Sequence, residues 1–251
     1  MYMSGVGASP ESDVLRELQG VRVLITGLSA SSGVDVARTF ADLKARLVLQ
    51  STELSPEVTE VVALLSQSAG ELKLYTHDIA RSDQAVNFAR AAAQSFGGLD
   101  AVINLSAISA ADMDKVAADG DSEALVNAKL APMAHLTRVT ANRMRLVHSE
   151  GLILNVLATP PARSGRDTAI ASLARATLAA MTAEEARTWS THGIRINAIG
   201  PRVMNTGRTP SGAYLTSEPD LAALAMYLAS RRGRSLSGHV FDAEGAAALS
   251  C

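Results

Sequence analysis

The sequence predicts an α/β fold: one doubly wound parallel sheet of about seven strands, with helices on both faces, in a single domain. Three observations carry this. Short, continuous apolar runs alternate with amphipathic segments along most of the chain, and such runs mark strands buried on both faces, as parallel sheets require. A Gly- and Ser-rich turn, "TGLSASSG" (residues 26–33), joins the first apolar run to the first helical pattern. The chain of 251 residues suits one sizeable core, and no repeat, low-complexity segment or linker divides it.

The elements follow in order. Residues 1–19 read as a polar, partly mobile lead-in, with the domain spanning 20–251. "VRVLIT" (21–26) is the first strand, and "GVDVARTFADLKA" (33–45) has helical spacing. "RLVLQ" (46–50) is the second strand, followed by "SPEVTEVVALLSQS" (55–68), which Ser55 and Pro56 start as a helix. "LKLYTHD" (72–78) is the third strand, and "RSDQAVNFARAAAQSFGG" (81–98) is a helix closed by Gly97 and Gly98. "LDAVINLSA" (99–107) is the fourth strand, and a looser stretch runs on to about Asp121. A long helix, 122–147, contains Pro132, which either kinks it or is absorbed near its start. "GLILNVLA" (151–158), the helix around "TAIASLARATLAAM" (168–181) and "GIRINAIG" (193–200) come next. A loop to Ser217, a helix "EPDLAALAMYLAS" (218–230) and a last strand "GHVFDAEG" (238–245) complete the pattern.

Composition excludes several classes. Net charge is −2 and the basic residues are scattered, so the footprint of a nucleic-acid binder is missing. A single cysteine, Cys251, excludes a disulfide framework or a cysteine-ligated metal within one chain and fits a reducing, cytoplasmic setting. The amino-terminal residues lack a secretion signal, and no apolar run reaches membrane-spanning length, so no membrane partner is expected.

A Gly- and Ser-rich turn opening a helix aims backbone N–H groups at a phosphate, aided by the helix dipole. Gly27 and Gly33 take the outer glycine positions of a Thr-Gly-x-x-x-Gly-x-Gly loop, while Ser31 takes the middle one. The alternative is a tight strand-to-helix turn and nothing more. At the end of the second strand, Gln50, Ser51 and Thr52 offer no carboxylate for a ribose and no arginine for a 2′-phosphate, so a choice between cofactors is unreadable.

Over nearly its full length the chain resembles the short-chain dehydrogenase/reductase family. The matching segments run in order: "TGLSASSG", Asp78 in "HDIARSD", "NLSA" (104–107), Asn127 in "VNAKLAPM", "HGIRINAIGPRVMNT" (192–206) and "LSGHVFDAEGA" (236–246). The resemblance implies a Rossmann-type three-layer sandwich, usually oligomeric, that binds NAD(H) or NADP(H) over the strand ends and moves a hydride to or from a carbonyl or alcohol. It assigns cofactor contacts to Gly27, Ser29, Ser31, Ser32, Gly33, Ser51, Asp78, Ile79, Asn104, Ser106, Arg175, Pro201, Arg202 and Thr206.

The family's chemistry rests on Ser, Tyr, Lys and Asn. Counted back from "HGIRINAIGP", the Tyr position falls on Ala171 and the Lys position on Arg175, and the Ser position on Ala158; Asn127 alone is retained. A methyl group neither donates nor accepts the proton that carbonyl reduction needs, a transfer worth ~10²–10⁴-fold. Losing the serine removes an oxyanion donor of a kind worth roughly 10²–10³-fold, and arginine's fork is not equivalent to lysine's point charge. Of the four tyrosines only Tyr214 falls in the expected substrate loop. Arg202 replaces a glycine at the family's Pro-Gly exit, where it meets a pyrophosphate or an acidic partner, fills the pocket, or is a solvated loop residue.

The expected function is therefore that of a catalytically degenerate family member, a subunit that binds or stabilises an active paralogue in a mixed oligomer, or a homo-oligomer, through helices 122–146 and 168–189. The alternatives are an NAD(P)-dependent oxidoreductase with a relocated acid such as Tyr214, and a metabolite sensor using the vacated pocket. On this reading cofactor binding is in doubt.

Overall fold

The computed structural model describes residues 10–201 and 218–242. Its strands are β1 Arg22–Thr26, β2 Arg46–Ser51, β3 Glu71–Thr76, β4 Ala101–Ala107, β5 Gly151–Ala158, β6 Ile194–Gly200 and β7 Val240–Asp242. Its helices are α1 Pro10–Glu17, α2 Val34–Asp42, α3 Pro56–Ser68, α4 Ser82–Gln94, α5 Ala110–Asp119, α6 Ser122–Leu146, α7 Gly165–Trp189 and α8 Glu218–Ala229. The strands form one sheet in the order β3-β2-β1-β4-β5-β6-β7, parallel throughout. The winding reverses between β1 and β4, where Thr26 pairs with Asn104. That switch point opens a crevice at the carboxyl ends of the strands.

Strand periodicity explains the layers. Val23, Ile25, Leu47, Leu49, Ile103 and Leu154 face Val36 and Phe40 of α2, Leu65 of α3, and Ala225 and Leu228 of α8. Their neighbours Leu24, Val48, Val102 and Ile153 point the other way, onto Phe88 and Ala92 of α4 and Leu136 and Met144 of α6. Burying each such Leu, Ile or Phe stabilises the fold by about 1.5–3 kcal/mol, which is why the runs are apolar at every position. A third cluster, including Met113 of α5, Leu130 of α6, Leu157 of β5, and Ile170 and Ala174 of α7, fills the space beside the carboxyl end of β5. Among the described residues no helix is long and apolar enough to cross a membrane.

Several expectations shift on inspection. Within the expected lead-in, Pro10–Glu17 form α1; Val14 and Leu18 pack on the core, and the Glu17 carboxylate accepts from the Arg231 N–H at 2.6 Å. Residues 1–9 lie outside the described residues. The looser stretch before Asp121 contains α5. Its start is a capping box in which Ser109 Oγ accepts from the Asp112 N–H at 3.1 Å and the Asp112 carboxylate accepts from the Ser109 N–H at 2.9 Å; such reciprocal caps satisfy two orphan donors at once. Pro132 lies inside α6, which continues through it. The last strand is described to Asp242, so residues 243–245 of its expected span lie outside the described residues.

Candidate functional site

The β1–α2 turn owes its shape to two glycines in the left-handed region, Gly27 at φ 76° and Gly33 at φ 83°. A methyl group on Gly27 would stand 2.3 Å from the Leu105 carbonyl oxygen, and one on Gly33 would stand 2.7 Å from Leu105 Cδ1. The turn therefore lies directly on the end of β4. Within it, the Ser29 N–H donates to the Ser32 carbonyl at 2.9 Å, and Ser29 Oγ accepts from the Ser31 N–H at 3.3 Å. Ser31 and Ser32 are exposed, and the loop closes on itself.

Three amides of the turn and of the helix start that follows it are engaged by side chains from elsewhere in the chain. Gln50, fully buried, accepts from the Gly27 N–H through Oε1 at 2.8 Å and donates through Nε2 to the His77 carbonyl at 2.6 Å, tying together the ends of β1, β2 and β3. The Glu218 carboxylate, at the start of α8, accepts from the Gly33 N–H through Oε1 and from the Asp35 N–H through Oε2 at 3.3 Å. Gly33 is the N-cap of α2 and supplies no side-chain cap, so Glu218 provides the acceptor that this helix end otherwise lacks. The contacts of Gln50 and Glu218 with the turn are the ones that sequence reading does not anticipate. Gln50 left a signal, a polar residue closing an apolar strand; Glu218 left none.

Beside the turn lies a cleft of about 220 Å³ whose walls include Thr26, Asp78, Ile79, Asn104, Ser106 and Lys129. Asp78 Oδ1 accepts from the Ala80 N–H at 2.8 Å, which shapes the bend after β3. Asn104 turns inward: its Oδ1 accepts from Thr26 Oγ1 at 3.2 Å and its Nδ2 donates to Asn155 Oδ1 at 2.8 Å, while Thr137 Oγ1 donates to that same oxygen at 3.2 Å. Asn104 thus joins β1, β4 and β5 and, through Asn155, α6. Ser51 is buried and its hydroxyl donates to the Glu53 carbonyl at 2.7 Å, so it faces its own chain.

At the other end of the crevice stand the positions assigned to catalysis. Ala158 ends β5 opposite Ala107 of β4, and Ala171 is buried on α7. Arg175, one turn further along α7, donates through Nη1 to the Pro201 carbonyl at 3.0 Å and pairs with Asp242 Oδ1 of β7 at 2.6 Å. Its cation is spent on the far edge of the sheet. Asn127 is exposed on α6. Two hydroxyls near this end serve helix α7 itself: Ser164 caps it by accepting from the Asp167 N–H, and Thr168 donates to the Ser164 carbonyl. Arg202, Thr206 and Tyr214 lie outside the described residues. Lys129 pairs with Asp112 at 3.0 Å, linking α6 to α5. Burial pushes the Asp112 carboxyl up, but the Ser109 N–H, Lys129 and the Ser109 hydroxyl outweigh it and hold the group at about 2.

A nicotinamide dinucleotide asks three things of this crevice. The adenosine end is available as the cleft beside Asp78 and Ile79. At the phosphate end, Gln50 and Glu218 hold the Gly27, Gly33 and Asp35 amides. The nicotinamide end meets two methyl groups and an arginine bound elsewhere. With Gln50 and Glu218 so placed, the phosphates of a dinucleotide would meet amides that are already bonded.

Comparison with known proteins places this crevice in context. The borneol dehydrogenase of Lavandula x intermedia is 25% identical over 252 residues, covering 95% of this chain and 94% of that protein. The solved hydroxysteroid dehydrogenase of Escherichia coli superposes with a TM-score of 0.71 at 21% identity, over 94% of this chain and 99% of that one. An NADH-dependent reductase solved in complex with NAD superposes with a TM-score of 0.70 at 18% identity, over 92% and 98% of the two chains. The family model for short chain dehydrogenase matches residues 21–212. With the switch-point crevice, the Gly27–Gly33 turn and this match over most of its length, the chain belongs to the short-chain dehydrogenase family.

Proposed function

We propose that this protein is a family member without oxidoreductase activity of its own, which binds and stabilises an active paralogue in a mixed oligomer. The fold is that of an oxidoreductase family, and family membership together with the NAD complex of a solved neighbour points to a nicotinamide dinucleotide as the ligand class. The observation that carries the reading is the state of the catalytic end. Ala158 and Ala171 supply no acid, base or oxyanion donor, and Arg175 is committed to Asp242 and Pro201. Proton transfer needs a group within hydrogen-bond reach of the reacting oxygen; methyl groups have none to offer.

What supports the assembly role is the outer surface of the two long helices. Ala124 and Ala128 on α6, and Ala169, Ala176, Ala180 and Ala183 on α7, are exposed, and small side chains let a partner helix approach closely. These helices are internally braced. The buried Glu185 carboxylate of α7 accepts from Arg138 Nε of α6 at 2.5 Å and from Trp189 Nε1 at 2.9 Å. The test is co-expression with a paralogue that retains Ser, Tyr and Lys. Co-purification, with a change in the paralogue's NAD(P)H-dependent turnover of carbonyl substrates, is the expected result; self-association alone, with no change in turnover, refutes the proposal. A second reading, a metabolite sensor, is favoured by the cleft of about 220 Å³. It is distinguished by a metabolite that raises the melting temperature of the isolated protein without being consumed.

A further inference from the structure

The geometry points to Glu218 as an intramolecular occupant of the phosphate site: its carboxylate stands where the dinucleotide's phosphates would bind, so entry of an anionic ligand requires its release. This is independent of the assembly role, since a mixed oligomer can form whether the site is open or closed.

A helix end offers unpaired N–H groups and a positive partial charge, and an anion settles there. Here the anion belongs to the chain. Gly33 begins α2 without a side-chain cap, and Glu218, 185 positions further on, accepts from its N–H and from that of Asp35. The carboxylate is delivered by a packed element, because Ala222, Ala225 and Leu228 of α8 share a core cluster with Val36 and Phe40 of α2. Two further features close the same pole. Gln50 Oε1 takes the Gly27 N–H, and Asp35 adds a second carboxylate in the first turn of α2. A pyrophosphate entering here meets like charge at contact distance and finds its donors taken. Glu218 is the first residue of α8, so rotation of one side chain suffices to free the Gly33 and Asp35 amides.

The experiment uses the full chain as wild type, Glu218→Ala and Glu218→Gln. Each is titrated calorimetrically with inorganic pyrophosphate, NADH and NADPH. Glu218→Ala should bind pyrophosphate and at least one dinucleotide about tenfold or more tightly than the wild type, with Glu218→Gln between them. Pyrophosphate at about 10 mM should raise the melting temperature of Glu218→Ala and leave that of the wild type unchanged. Should the alanine variant fail to fold, Glu218→Gln, which keeps the shape and an acceptor oxygen, decides alone by the same comparison. Affinities equal within about twofold, or tighter in the wild type, overturn the proposal and reduce Glu218 to a helix cap.

Discussion

The two ends of the crevice are furnished in opposite ways. At the phosphate end the chain brings polar side chains in, Gln50 onto the Gly27 amide and Glu218 onto those of Gly33 and Asp35. At the positions that the family resemblance assigns to catalysis, the side chains are the methyl groups of Ala158 and Ala171, and the Arg175 cation turns toward Asp242. The first change strengthens the fold: a net hydrogen bond contributes about 0.5–1.5 kcal/mol, and a carboxylate at a helix start about 0.3–1 kcal/mol. The second is nearly free for the fold, because a methyl group at the end of β5 or on an Ala-rich helix needs no hydrogen-bond partner. The proposed closure of the phosphate end and the proposed lack of catalysis therefore rest on different residues, and variants can test them one at a time.

The largest effect should come from reversing both. Ala158→Ser, Ala171→Tyr and Arg175→Lys together should leave NAD(P)H oxidation with carbonyl substrates at background while Glu218 is present. With Glu218→Ala added, turnover should exceed that of Glu218→Ala alone by about 100-fold or more, the lower range for a restored proton donor. Activity in the triple variant alone would show that the phosphate end never limited binding, and so break the comparison.

A second, smaller effect tests the turn. Gly27→Ala forces a side chain into the left-handed region and against the Leu105 carbonyl, and urea denaturation should show a loss of about 2–4 kcal/mol. Glu218→Ala should cost the same assay only about 1 kcal/mol, since it removes a cap and introduces no clash. If the two variants cost the same, the turn is held by the carboxylate and not by its packing on β4.

The smallest effect concerns α5, which lies beside the catalytic end. The folded Asp112 carboxyl is held at about 2, below its unfolded value. Its contribution is therefore complete above the unfolded value near pH 4 and is lost as pH falls toward 2. Asp112→Asn should lower stability by about 1 kcal/mol at neutral pH. The difference from wild type should shrink steadily between about pH 4 and 2, as read from chemical denaturation at each pH.

Much of the architecture was legible in the sequence because its signals are local. The runs that became β1, β2, β4 and β5 are apolar on both faces, and Ser55 with Pro56 starts α3 as their chemistry requires. The stretch that forms α5 reads as loose in the sequence, and its signal lies in the caps at Ser109, Asp112 and Gly120. In the candidate site, local reading found the Gly27–Gly33 turn. The engagements of the site's residues were hidden: Asn104 bonds inward to Asn155, Arg175 reaches Asp242, and Glu218 meets Gly33 from the far end of the chain. Contacts between distant segments are set by packing, and no spacing in the sequence encodes them.

The closed turn also carries its own clock. An amide proton exchanges with solvent deuterium when its acceptor moves away. The N–H groups of Gly27, Gly33 and Asp35, bound to Gln50 and Glu218, should therefore exchange at rates set by two side-chain motions. Gly27 reports on Gln50, while Gly33 and Asp35 report on Glu218. Without any ligand added, three exchange rates would measure how often this crevice opens, and which of its two latches lifts first.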